Sequence, residues 1–280
     1  MRTSANDLLA LAPALVEISI GTGREILQFY GSGCQVNYKA DGSRVTEADH
    51  AAHNLIVEGL EALRPRLPIL SEESKPIPAY EERSSWRRYW LVDPIDGTNG
   101  FIRETDQFTV NIALIEGARP VLGVIHLPVY GSTYWAARGS GAYLLRSGES
   151  ESQPISVREF GDGDAIILGN RSRGKQRRDS FVDSLARANI GSTIKIMSSS
   201  MKFCRVAEGA ADVYTAFGYT SEWDTAAGQC IVECAGGRVT DMGSGDALQY
   251  NKPQLLNPWF IASGGGNFSW RSHTAAQRGD

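Results

Sequence analysis

The segment Asp93-Pro94-Ile95-Asp96-Gly97-Thr98 follows directly on the apolar run Tyr89-Trp90-Leu91-Val92. Two carboxylates three residues apart, at a strand end and held by a proline, converge on a point near the strand's C-terminal end. Unpaired carboxylates that close raise each other's pKa and cost stability. A divalent cation removes that cost, and the all-oxygen character points to a hard ion such as Mg²⁺. Gly97 lets the backbone approach a ligand closely, and amides exposed at Gly97 and Thr98 suit a phosphate oxygen. The ordinary alternative is an Asx-type turn between strands. Three more acidic positions share this character. Glu72-Glu73 follows another short apolar run, and Asp224 opens a helix whose next residues, Thr225-Ala226-Ala227-Gly228, are small. Asp49 stands three residues after Thr46 at the start of a further helix. Asp49 and Asp224 each also read as plain N-terminal caps. Four acidic clusters at element ends, interleaved with Gly and small residues, fit a site for several Mg²⁺ ions better than four coincidences.

The elements that position these residues follow from periodicity. Apolar residues recur at helical spacing over 5–30, with a weak point at Gly21 and Gly23, and 31–44 reads as a polar loop. A second helix opens at 46–49, with Leu55, Ile56, Leu60 and Leu63 marking its buried side, and Pro65 ends it. Beyond it the period changes to that of strands: 67–70, then 89–92 breaking at Asp93-Pro94. The runs 108–115 and 120–127 meet at Glu116-Gly117 as a hairpin, and 132–137 and 141–145 form a further pair. A polar stretch at 146–154 marks a boundary between an α+β half, 1–150, and an α/β half, 151–280. In the second half the expected strands are 165–168, 192–196, 211–215, 237–240 and 259–262, and the expected helices 179–188, 201–209 and 224–234. The tail from Gly264 reads as frayed.

Composition narrows the function classes. The chain of 280 residues has 28 Lys+Arg against 32 Asp+Glu, net charge −4, with 42 % hydrophobic and 21 % charged residues. This is ordinary globular usage and carries no overall signal for a nucleic acid polymer or an anionic membrane. Cysteines stand only at 34, 204, 230 and 234, without a CxxC pair. They read as small hydrophobes in a reducing compartment rather than as a disulfide scaffold or zinc site. No leader pattern and no apolar run of about 18 residues is seen, so no integral membrane segment and a cytoplasmic location are expected. His50 and His53 read as ordinary helix residues.

Together, Glu72-Glu73-Ser74, Asp93–Thr98, Trp223–Gly228 and Gly236-Gly237 resemble, in order and spacing over roughly 40–240, the inositol monophosphatase superfamily of Mg²⁺-dependent, Li⁺-sensitive phosphatases. Within it the chain is most similar to the CysQ-type 3′(2′),5′-bisphosphate nucleotidases, on 45–49, 68–73, 90–94, 108–115, 198–204, 206–209 and 256–258. The resemblance implies a five-layer αβαβα sandwich, of the inositol monophosphatase and fructose-1,6-bisphosphatase type, with the site between the two halves. It also implies two or three Mg²⁺ ions. Glu72, Asp93 and the Ile95 carbonyl would hold one, Asp93, Asp96 and Asp224 a second, and Glu72 would face a weaker third. Asp49 beside Thr98 would orient and deprotonate the attacking water. The implied substrate contacts are Gly97, Thr98, Ser199, Ser200, Lys202 and Asp224, and a homodimer is the implied assembly.

The implied reaction is hydrolysis of the 3′-phosphate of adenosine 3′,5′-bisphosphate to AMP and phosphate, clearing a by-product of sulfate activation. Inositol or sugar phosphates are the alternative. Two departures bear on the choice: Asn99-Gly100 replaces the Lys-Glu usual in CysQ-type enzymes. Ala216 stands where these carry Arg and inositol phosphatases carry Glu. The basic cluster Arg171, Arg173, Lys175, Arg177 and Arg178 is a second candidate anion site beside Lys202, or a solvated charged turn. An aspartyl-phosphate mechanism needs Asp-x-Asp-Gly-Thr, and here two residues separate the acids. A non-catalytic regulator on the same fold would have lost a ligand or the Asp49–Thr98 pair, and all are present.

Overall fold

The computed structural model describes residues 3–33, 36–38, 44–161, 163–171 and 174–274. Its elements in chain order are α1 (Ala5–Phe29), β1 (Val36–Tyr38), β2 (Arg44–Thr46), α2 (Glu47–Ala62), β3 (Ile69–Ser71), α3 (Tyr80–Arg83) and β4 (Arg88–Asp96). Next come α4 (Thr98–Ile102), β5 (Thr109–Glu116), β6 (Arg119–Leu127), β7 (Ser132–Ala137), β8 (Gly141–Leu145) and β9 (Gln153–Ile155). The chain continues with β10 (Ala165–Gly169), α5 (Lys175–Arg187), β11 (Ser192–Ile196), α6 (Met201–Ala207) and β12 (Val213–Ala216). It closes with α7 (Glu222–Cys234), β13 (Arg238–Asp241), β14 (Phe260–Ser263) and a 3₁₀ turn, Trp270–His273.

Two sheets form. One has seven strands in the order β3-β4-β5-β6-β7-β8-β9, all antiparallel except β3 with β4. The other has five strands in the order β11-β10-β12-β14-β13, with β10 parallel to both β11 and β12. Alternation along β4 and β5 splits the larger sheet's side chains between two cores. Trp90, Val92, Ile112 and Leu114 face α1 and α2, whereas Tyr89, Leu91, Ala113 and Ile115 face α6 and α7. The opposite side of α6 and α7 meets the five-stranded sheet, and α5 covers that sheet's far face. The layers are therefore αβαβα, as the resemblance implied.

α7 lies close against its neighbours because its first turns are small. A Cβ on Gly228 would sit 2.3 Å from the Phe203 ring of α6. Helix α1 is long and apolar enough, by length and composition, to cross a membrane, with mean hydropathy 1.2 over its best window. In this fold it lies against α2 and the seven-stranded sheet. It runs unbroken through Gly21 and Gly23, and Gly23 faces the His126 ring of β6.

The sequence expectations need correction at five points. Residues 36–38 and 44–46, expected as loop, pair as the antiparallel ribbon β1–β2. Three-residue strands are too short for periodicity to register. The strand expected to break at Asp93-Pro94 continues to Asp96 through a bulge. Leu55, expected on the buried side of α2, is exposed, whereas Ile56 and Leu60 are buried. The polar 146–154 stretch ends in β9, an edge strand on β8. The tail expected to fray from Gly264 is seated as far as Thr274, with the Gly264 N–H on the Asp212 carbonyl and Trp270 buried in the core beside α5. Cys34, Arg173 and residues 275–280 lie outside the described residues.

Candidate metal centre and active site

The β4 bulge accounts for how two aspartates three residues apart share one face. Asp93 pairs with Asn111 and Asp96 with Thr109, so three steps on β4 match two on β5. One extra residue in the strand restores the side-chain alternation that an odd spacing would otherwise invert. Pro94 sits inside the bulge, where its missing N–H breaks no ladder bond. Asp93 continues the face of Tyr89 and Leu91, the face that meets α7. Glu72 comes alongside through β3, in which Leu70 pairs with Leu91 and the Glu72 N–H donates to the Val92 carbonyl at 3.1 Å.

Asp224 arrives from the opposite layer, at the first turn of α7. Its Oδ2 accepts from the Ser221 N–H at 2.7 Å in a capping box. Asp49 does the same on α2, with Oδ2 accepting from the Thr46 N–H at 2.7 Å and its hydroxyl at 2.6 Å. Both are therefore caps, as the plain reading had it, and each uses one carboxylate oxygen for the cap. Asn257 clamps the start of α7, donating to the Ser221 carbonyl at 2.7 Å and the Thr225 hydroxyl at 3.0 Å. Glu222 is buried and accepts from the Lys252 ammonium at 2.7 Å, holding the same turn.

Oxygens of Glu72, Asp93 and Asp224 lie within 4.8 Å of one another. Burial pushes the Asp93 carboxyl well above the usual carboxylate range, and the charges of Glu72, Asp96, Asp224 and Asp49 push it further. Burial likewise raises Asp224, with Asp96 and Glu72 adding to it and the Ser221 N–H opposing. An all-carboxylate, mutually repelling donor set, buried at Asp93 and half-buried at Glu72 and Asp224, fits a hard divalent cation.

The remaining expected residues surround this cluster. The Thr98 hydroxyl donates to the Ile95 carbonyl at 3.2 Å at the head of α4. Gly97 caps α4 at φ 91°, and a Cβ there would lie 2.8 Å from the Gln107 carbonyl and 3.0 Å from Ser199 Cβ. The Ser200 hydroxyl lies 2.6 Å from Asp96 Oδ2 and 2.8 Å from the Asp224 carbonyl, and accepts from Asn111 Nδ2 at 2.9 Å. The Lys202 ammonium donates to the Ser199 carbonyl at 2.6 Å and lies 4.9 Å from the centre of the Tyr214 ring. Asn111 and Gln107 were not picked out from the sequence. Gln107 accepts from the Ser198 N–H at 2.8 Å, joining the α4 loop to the segment before α6.

Within the basic cluster at 171–178, Lys175, Arg177 and Arg178 turn to separate partners. Arg178 is buried and donates to the Asn170 carbonyl, Lys175 pairs with Asp179 at 2.8 Å, and Arg177 lies 4.1 Å over the Trp259 ring. Ala216 is buried and offers no polar group to a substrate.

The inositol monophosphatase family model matches residues 7–276. The chain belongs to this family. Its members are metal-dependent phosphatases, in keeping with the acidic cluster. Among curated proteins it is 43 % identical over 247 residues to the 3′(2′),5′-bisphosphate nucleotidase CysQ of Salmonella typhimurium, covering 87 % of this chain and 96 % of that protein. Among solved structures it matches CysQ from Bacteroides thetaiotaomicron with TM-score 0.81 and 37 % identity, covering 92 % of this chain and 98 % of that one. The extragenic suppressor protein suhB of Bartonella henselae matches with TM-score 0.74 and 26 % identity, covering 97 % and 100 %. For this inositol monophosphatase family member, the αβαβα fold agrees with those likenesses.

Proposed function

We propose that the chain is a Mg²⁺-dependent 3′(2′),5′-bisphosphate nucleotidase that converts adenosine 3′,5′-bisphosphate to AMP and phosphate. The observation that carries the chemistry is the meeting of Glu72, Asp93 and Asp224 oxygens within 4.8 Å around a fully buried Asp93. The 43 % identity to a CysQ nucleotidase supports the substrate. Glu72, Asp93 and the Ile95 carbonyl would hold one ion, Asp93, Asp96 and Asp224 a second, and Glu72 would face a third. The residues up to 150 bring most of these ligands, and 151–280 brings Asp224 and the Ser199–Lys202 segment. Bound Mg²⁺ supplies Lewis acidity and positive charge against the phosphoryl oxygens.

The chain's own groups then do the positioning that phosphoryl transfer mainly requires. Asp49 takes the proton of the attacking water, with its second oxygen fixed by Thr46 so that the acceptor cannot rotate away. The Thr98 hydroxyl orients that water from the Ile95 side. The amides at Gly97 and Thr98 receive phosphate oxygens at the α4 start. Ser199, Ser200 and Lys202 line the opposite side, and Lys202 fixes the Ser199 carbonyl. The water oxygen forms a bond to phosphorus, the bond to the 3′-oxygen breaks, and that oxygen takes a proton from solvent water to leave as a hydroxyl, while Asp49 returns its proton to solvent.

The test is Mg²⁺-dependent phosphate release from adenosine 3′,5′-bisphosphate, inositol 1-phosphate and fructose 1,6-bisphosphate. We expect kcat/KM to favour the nucleotide by about two orders of magnitude, a difference of roughly 3 kcal/mol in transition-state binding. A flat or sugar-preferring profile would overturn the substrate and leave the phosphatase chemistry standing.

A further inference from the structure

At the end of the seven-stranded sheet away from the carboxylates lies a cavity of about 880 Å³ lined by Arg87, Arg88, Arg119, Arg138, Glu116 and Glu233, with the Gly117-Ala118 turn. The topology brings the four guanidiniums together. Arg88 opens β4 opposite Glu116, Arg119 opens β6 after the hairpin turn, and Arg138 follows β7 with its N–H on the Val121 carbonyl. Asp96 is eight residues along β4 from Arg88, roughly 25 Å at strand rise. Helix α7 runs the same way, from Asp224 to Glu233. A ligand here cannot reach the metal centre.

Three of the arginines are held in place by a single acceptor each. Arg88 donates to the Thr3 hydroxyl at 3.1 Å, Arg119 to the Leu248 carbonyl at 3.3 Å and Arg138 to the Pro120 carbonyl at 2.7 Å. A guanidinium has five N–H donors, so most remain available. The two carboxylates are engaged elsewhere: Glu116 accepts from the Thr3 N–H at 3.0 Å and its hydroxyl at 3.1 Å, and Glu233 accepts from Gln229 at 2.8 Å. Among the described residues none of the four arginines forms an ion pair. Four positive and two negative charges leave an excess of positive charge in one concavity, which concentrates anions. No aromatic or aliphatic side chain larger than Ala lines it, so nothing stacks on a base.

We propose that this cavity binds a compact polyanion built of tetrahedral oxyanion groups, phosphate or sulfate, rather than a nucleoside. The fork of an arginine matches such groups in a bidentate manner. The probe is inorganic pyrophosphate, titrated calorimetrically into the full chain at low salt in EDTA, which removes divalent cations from the acidic site. The expected result is saturable binding that weakens at least about tenfold in Arg87→Gln and in Arg138→Gln, the loss of one charged hydrogen bond. Both are exposed positions, and unaltered melting of each variant establishes that it is folded. Binding to Asp96→Asn should be unchanged. Displacement of pyrophosphate by sulfate at matched ionic strength assigns the site to single oxyanion groups, and failure to displace assigns it to linked phosphates. No saturable heat, or heat that both arginine variants leave within about twofold, would overturn the proposal. So would a tungstate-soaked crystal whose anomalous peaks avoid this cavity.

Discussion

Ser200 ties Asp96 to the Asp224 backbone through one hydroxyl, at 2.6 and 2.8 Å, and Asn111 fixes that hydroxyl from β5. Replacing it with alanine leaves both aspartates in place but frees Asp96 to turn. Groups that orient metal-binding carboxylates are worth roughly 10–100-fold in affinity or activity. Ser200→Ala is therefore expected to shift the Mg²⁺ activation curve or lower kcat/KM by about that factor, with melting little changed. A curve identical to the parent's would show that Asp96 needs no such support. The acidic positions were legible because each sits where an apolar run ends or a helix begins. Asn111 was not, because a neutral amide inside the run 108–115 breaks no pattern. Its value comes from the Ser200 hydroxyl it donates to, 89 residues further along the chain, which only the fold brings near. Asn257 was part of a recognised segment, but its clamp on α7 depends on two residues more than thirty positions away.

Elements extend the same lesson. Helix starts and strand runs were readable, whereas the β4 bulge was read as a strand end, since Asp-Pro signals both and only pairing distinguishes them. Packing distances were not readable at all, and two glycines show it with opposite signs. Gly228→Ala drives a methyl into the Phe203 ring, so thermal unfolding should report a loss of about 1–3 kcal/mol and a displaced Asp224 should lower activity as well. Gly21→Ala meets nothing within 4 Å on the exposed side of α1, and helix propensity predicts a gain of about 0.5–1 kcal/mol. The α1–β6 contact also carries a pH dependence. Burial lowers the His126 pKa to about 4, with the Arg24 charge adding to it, and its Nδ1 lies 2.8 Å from the Thr133 hydroxyl. The folded chain holds this ring neutral, while the unfolded chain protonates it near 6.5. Unfolded protein thus binds more protons between pH 6.5 and 4, and stability falls as pH falls through that window, by about 3 kcal/mol for this group. His126→Gln should have a shallower slope there in denaturant titrations. A slope parallel to the parent's would rule the assignment out.

Across the whole molecule the candidate site draws on two layers: Glu72, Asp93 and Asp96 from the seven-stranded sheet and the end of its β3, Asp224 from the helix packed against that sheet. The seven-stranded sheet and the α6–α7 layer share one hydrophobic core, and the charges meet at that junction. The fold therefore presses carboxylates together that repel, which a protein tolerates at a functional site at some cost in stability. Asp93 bears most of that repulsion, being fully buried with four acidic neighbours. Asp93→Asn removes its charge but keeps an oxygen for the Ile95 N–H that Asp93 Oδ1 accepts at 3.1 Å. In EDTA this variant should melt above the parent. In Mg²⁺ the order should reverse, because a ligand that binds only the folded chain stabilises it by about 2.7 kcal/mol at a hundred times its Kd, and the variant has lost a donor. Crossing melting curves on addition of Mg²⁺ would tie the strain to the ion it accommodates. A variant that melts below the parent in EDTA, or that keeps the full Mg²⁺ response, would show that the acidic cluster is relieved by other means and that Asp93 is not among its ligands.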